Sequence, residues 1–171
     1  MQIPVPEAKK LIDEYFTVFP RIKHVLNYFE WFGITHGYIK TPAPFFRRRY
    51  FPEWKKYRLD LYVYEHLSGI RRDSTLSAIG RQSKNAPIQG SAADSAKLSL
   101  VLIRNYINEH QLRDRVKFIL QVHDQNTTTA HKDYAETWKK ELHELMLEAA
   151  RWIVPSGLLG ADTTINPVWT K

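Results

Sequence analysis

The sequence predicts an α+β fold, a small antiparallel sheet with a hairpin packed against long helices. Three observations carry that expectation. Apolar residues recur at helical spacing in the first 32 residues and again over residues 89–109 and 134–152. Two strand-like runs, 116–122 and 126–130, are neighbours in sequence, as a hairpin requires. The order helices, basic loop, helix, hairpin, helix, strand segregates helices from strands instead of alternating them.

Each element has its own signal. Val5, Ala8, Leu11, Ile12, Tyr15, Phe16 and Phe19 follow helical spacing, and Pro20 suits the first turn of a second helix bearing Ile22, Val25, Leu26 and Phe29. A helical hairpin is therefore expected over residues 1–32. Gly33 and Gly37 punctuate, and Thr41-Pro-Ala-Pro44 forces extended or turn backbone, so residues 33–58 read as loop or short strand. Residues 59–70 are compatible with either helix or strand. Ser91 with Asp94 resembles a capping box, and Ala92, Ala96, Ser99, Leu100, Ile103, Tyr106 and Ile107 make the stripe of a helix expected over about residues 89–109. The hairpin follows, with Gln125-Asn126 as an unfavourable tight-turn pair; a turn that contradicts local preference often marks function. Tyr134, Trp138, Leu142, Leu145, Ala149 and Trp152 define a long amphipathic helix, and its aromatics are expected in the core. Residues 161–165 read as a closing strand.

Composition bounds the function. A chain of 171 residues with 43% apolar content supports one sizeable core and is read as a single domain, 1–171. The absence of cysteine excludes disulfides, thiolate metal sites and cysteine nucleophiles, and fits a reducing compartment. No apolar run approaches the roughly 20 residues that span a bilayer, and the start lacks the regions of a signal peptide, so an intracellular, cytoplasmic protein without membrane contact is expected. The net charge of +7 is local: residues 40–84 hold eleven Lys/Arg against four Asp/Glu, while the flanking segments are neutral. A solvated face is one reading of that block. Phe45, Phe46, Tyr50, Phe51, Trp54 and Tyr57 interleave with its cations, which favours phosphate backbones and stacked bases.

The chemical lead is Asp124, a lone carboxylate where the two strands meet in Gln121-Val-His-Asp124. In isolation it would be a turn cap, and the pair His123-Asp124 would also suit a metal-dependent phosphohydrolase, but that chemistry needs further ligands on helices. Upstream lies Asn85-Ala-Pro-Ile-Gln-Gly-Ser-Ala-Ala-Asp94. These two segments, in this order, resemble family A (polymerase I-like) DNA polymerases, in their C-terminal palm portion. Tyr15-Phe16-x-x-Phe19-Pro20 looks like that family's helix pair after the fingers, and Gly37-Tyr38 with Arg47-Arg-Arg-Tyr50 like its basic turn. The likeness divides the chain into a helical hairpin (1–32), a basic segment (40–84) and a palm core (85–171).

The resemblance implies a DNA-directed DNA polymerase, a nucleotidyltransferase of DNA replication that uses two Mg2+ ions. Asp124 would be a ligand of those ions and His123 would lie beside the primer terminus. Gln121, Arg81, Asn85 and Gln89 would line the primer-template duplex, although Asn85 and Gln89 also suit backbone capping. Arg47, Arg48, Arg49 and Lys84 would meet backbone or support the fold. Three departures accompany it. Position 125 is Gln where the family usually has Glu. The arginines follow Pro42-Ala-Pro-Phe-Phe in place of a short glycine-containing turn, and residues 52–80 are longer than usual. No stretch resembles the first motif with the other metal-binding Asp, or the fingers helix that binds the deoxynucleoside triphosphate. Because Met1 falls where the fingers would end, a split polymerase is expected, inactive alone and completed by a partner polypeptide that carries fingers and first-motif Asp. A remnant or fragment of such an enzyme, or a non-catalytic DNA-binding scaffold derived from it, is the alternative.

Overall fold

The computed structural model describes residues 3–56 and 74–168. The expectation left open for residues 59–70 lies outside them. The chain packs as two compact units, one formed by residues 1–41 with 47–88 and the other by residues 42–46 with 89–171.

The first unit opens with helices α1 (Val5–Val18) and α2 (Pro20–His36), joined at Phe19. Each has proline in its first turn, where the missing N–H would have lacked a helical partner. The expected helical hairpin is present, but its stripe is not core. No residue of α1 is buried, and Val5, Leu11, Ile12, Tyr15, Val18, Ile22 and Val25 are all exposed. Gly33 lies inside α2, so it does not punctuate. It is there because a Cβ would land on Ser83 Oγ, and glycine lets the two backbones approach. Gly37 ends α2 in the left-handed conformation (φ +72°), where a side chain would also collide with Trp54.

Strands β1 (Tyr38–Lys40) and β2 (Arg48–Tyr50) follow as an antiparallel ribbon. Its connection is clamped by Thr41, whose amide donates to Arg47 O and whose Oγ1 accepts from Arg47 N, both at 2.9 Å. A short 3-10 helix (Pro52–Lys56) carries Trp54, whose indole N–H donates to Ile34 O at 2.6 Å and so satisfies a carbonyl at the end of α2. Ile34, Ile39, Phe51 and Ile79 form this unit's core.

Helix α3 (Ser74–Glu109) runs 36 residues and supplies both units. The expected start near residue 89 is therefore wrong: Pro87 sits within the helix, and Ser91 and Asp94 are interior residues, not a capping box. A single proline removes one backbone hydrogen bond, and a long helix packed along its length can accommodate that loss.

In the second unit, β3 (Val116–Val122) and β4 (Gln125–Ala130) form the expected hairpin, one residue tighter than the sequence suggested. Gln125 belongs to β4, so the loop is His123-Asp124. The register slips by one between Phe118 and Leu120, leaving Ile119 as a bulge. After a 3-10 turn (Lys132–Tyr134), α4 (Ala135–Ile153) buries Trp138, Leu142, Leu145, Ala149 and Ala150. Ile103, Ile107, Leu112 and Val116 complete that core with Trp138, Leu142 and Leu145. Trp152, expected inside, is 56% exposed on the last turn, beyond the reach of that cluster. Residues 161–165 form no strand. Among the described residues each strand pairs only with its hairpin partner.

Candidate active-site hairpin and cationic ribbon

The β3–β4 turn places Asp124 at the tip of the hairpin, exposed to solvent. His123 precedes it with φ +55°, a left-handed backbone that non-glycine residues adopt at a cost, and positive φ at the first loop residue is what a type II′ turn requires. Strain of this kind persists only where the surroundings hold it.

They do so through a polar rung between hairpin and α3. Gln121 and Asn126 are cross-strand partners, one residue pair below the turn. Gln121 Nε2 donates to Ala96 O at 3.0 Å, and Asn126 Nδ2 donates to Ser99 Oγ at 2.8 Å. Ser99 Oγ in turn donates to Ala96 O at 2.7 Å. Lower in the hairpin, the Trp138 indole donates to Thr128 Oγ1 at 2.8 Å and ties β4 to α4. Sequence reasoning missed Ser99 and Asn126. The signal available was a polar residue at position 99 within an otherwise apolar stripe.

Behind this rung, burial and a hydrogen bond to Glu141 push the Tyr106 phenol up to about 12. The Tyr106 ring stacks on His110 at 4.0 Å and touches Trp138 at 6.0 Å, so the phenol is fixed within the core of this unit.

The remaining candidates fall on α3 and the ribbon. Arg81, Asn85 and Gln89 follow one another at four-residue spacing on α3, each exposed. Lys84 is half-buried and its ammonium lies 2.6 Å from Glu30 on α2. Arg47 follows the loop, and Arg48 and Arg49 lie on β2, all exposed. Arg49 donates to Gln82 Oε1 at 2.7 Å, while Arg48 sits 5.2 Å over the Tyr38 ring and donates to Tyr50 Oη at 3.4 Å. That hydroxyl raises the Arg48 guanidinium above the usual arginine value. The structure thus brings Gln121, His123 and Asp124 together on one hairpin, and brings the arginine triplet together on one ribbon.

As a metal ligand, Asp124 offers the hard anionic oxygen that magnesium prefers. Among the described residues no three His, Asp or Glu side chains converge as a cation site.

The chain is an α+β protein with two small antiparallel ribbons, one tipped by a carboxylate and the other bearing exposed arginines. The chain belongs to DNA polymerase family A, whose sequence pattern matches residues 1–171. It is 33% identical over 164 residues to DNA polymerase I of Chloroflexus aurantiacus, covering 96% of this chain and 15% of that protein. Against DNA polymerase I of Deinococcus radiodurans it is 31% identical over 167 residues, covering 98% of this chain and 15% of the relative. The enzyme of the same name from Geobacillus stearothermophilus is 30% identical over 169 residues, 99% of this chain and 17% of its own length. The chain therefore spans less than a fifth of the curated relatives it matches. Among the described residues no helix is long and apolar enough to cross a membrane.

Proposed function

We propose that this chain is the C-terminal palm portion of a DNA-directed DNA polymerase, with residues 1–32 as its entry helices, 40–84 as a basic segment and 85–171 as the palm core. It contributes one metal-binding carboxylate, Asp124, to two-metal nucleotidyl transfer, and the other half of the active site is supplied by another chain. The observation that carries this reading is the hairpin tip. A solitary carboxylate is held forward on a strained two-residue turn, braced from behind by Gln121 and Asn126, in a member of a polymerase family.

Magnesium bound there would stabilise charge on the transferring phosphoryl oxygens, its remaining carboxylate ligand coming from outside this chain. His123 sits beside the primer terminus in this reading. Arg81, Asn85 and Gln89, exposed along α3, offer donors to the minor groove, where every correct base pair presents acceptors at similar positions. Gln121 also lines the primer-template duplex in this reading, while its Nε2 donates to Ala96 O and holds the hairpin. Lys84, paired with Glu30, reaches DNA backbone only at the edge of that ion pair, while Arg47, Arg48 and Arg49 are exposed and suit phosphate. The exposed apolar faces of α1 and α2 support a covering partner that carries the fingers and first-motif Asp. Working on a primer-template with deoxynucleoside triphosphates, the assembly acts in the cytoplasm.

The test is primer extension with magnesium for this chain, for a candidate partner chain and for the mixture. Extension in the mixture alone supports the split enzyme, and Asp124→Asn should then abolish incorporation while leaving DNA affinity largely intact. Incorporation undiminished by Asp124→Asn would sink the proposal. DNA binding without extension by any combination would leave the non-catalytic scaffold, the reading that Gln125 favours by removing a second carboxylate from the turn.

A further inference from the structure

The β1–β2 ribbon carries rings as well as arginines. Its register sets Tyr38 opposite Tyr50 and Lys40 opposite Arg48. Period-two alternation places those four side chains on one face and Ile39 with Arg49 on the other, where Ile39 is buried. The Tyr38 and Tyr50 rings lie 5.8 Å apart. Lys40 Nζ and the Arg48 guanidinium stand 5.9 and 5.2 Å from the Tyr38 centroid. Tyr50 is 60% exposed, so the core does not explain a large ring there. Nor does the chemistry of Asp124 call for it.

Charge selects the partner. Residues 40–49 include Lys40, Arg47, Arg48 and Arg49 and no acidic residue, which favours a polyanion. The rings then select among polyanions. In a duplex the base faces are already stacked on each other, whereas a single strand offers them freely to aromatic side chains.

We infer that the Tyr38–Lys40–Arg48–Tyr50 face is a stacking platform for single-stranded nucleic acid, its cations on phosphate and a base against the exposed Tyr50 ring. The platform shares Arg48 with the phosphate contacts proposed above, and it does not depend on catalysis by Asp124.

The experiment is fluorescence anisotropy of the full 171-residue chain with labelled oligo(dT), labelled oligo(U) and a duplex of equal length. At least one single strand should bind more tightly than the duplex. Tyr50→Ala should weaken that strand by roughly five- to 150-fold, the range for one lost stacking contact. Tyr50→Trp, which keeps a ring at the surface, should retain affinity, and circular dichroism of each variant reports whether the fold survives. Duplex bound as tightly as both single strands, or Trp and Ala weakening binding equally in folded protein, would overturn the platform. Failure of the polymerase reading has a different signature, absent primer extension, which this binding assay does not measure.

Discussion

Ser99→Ala isolates the brace behind the hairpin tip. Ser99 is 3% exposed and serves two hydrogen bonds at once, donating to Ala96 O and accepting from Asn126 Nδ2. Each such bond contributes roughly 0.5–1.5 kcal/mol net, and a buried amide donor left without a partner costs about 1–3 kcal/mol. Alanine returns roughly 0.5 kcal/mol through helix propensity. The net expectation is a loss of about 2 kcal/mol. Asn126 Oδ1 is already buried without a partner, so Asn126→Leu on top of Ser99→Ala removes the orphaned donor and acceptor together and should recover about half of that loss. Urea unfolding of the four members of the cycle gives the energies, and amide exchange of β3 and β4 locates them, with faster exchange expected near Gln121 and Asn126 in Ser99→Ala. A change below about 0.5 kcal/mol, with hairpin exchange unaltered, would refute the brace.

Three further predictions follow from other parts of the molecule. Tyr106 is held protonated in the folded state up to about pH 12, above the ordinary phenol value, so the folded state binds more protons between those limits. Stability should be unaffected below about pH 10, fall between about 10 and 12, and fall less steeply in Tyr106→Phe when followed by denaturant titration across that window. Gly33→Ala puts a methyl 2.6 Å from Ser83 Cβ, so overpacking of about 1–3 kcal/mol should exceed the roughly 1 kcal/mol of helix propensity gained, and Ser83→Gly in the same chain should reverse the sign. The isolated chain should self-associate through α1 and α2 on size-exclusion chromatography, and Leu11→Lys with Val18→Lys should shift it toward monomer; a clean wild-type monomer would count against an obligate covering partner.

How far residues announced their positions depended on whether the deciding interaction was local. The α1–α2 hairpin was legible because Pro20 and the helical spacing of apolar residues are short-range signals, but the exposure of that stripe was not, since periodicity reports a face and not what covers it. The β3–β4 hairpin and the exposed Asp124 at its tip were legible for the same reason. Placing the loop at His123-Asp124 required knowing that His123 tolerates a positive φ, and that depends on the brace to Ala96 and Ser99. The start of α3 was misplaced because Ser91 and Asp94 read locally as a capping box, whereas the turns before them are already helical and packed on α2, Ser83 against Gly33 and Gly80 against Glu30. Residues 161–165 have a strand's composition but pair with neither ribbon, and pairing is a property that no single segment can disclose.

The pairing scheme has a kinetic corollary. Every strand among the described residues pairs with its sequence neighbour, β3 and β4 across only His123 and Asp124. Closing so short a loop takes tens of nanoseconds and a hairpin forms in microseconds, so the strands can pair quickly, and the turn that presents Asp124 is then held by Ala96 and Ser99 of α3. Because α3 precedes the hairpin in sequence, both the strands and their brace are available as soon as residue 130 has been made, so the turn can be set in place during the chain's own synthesis.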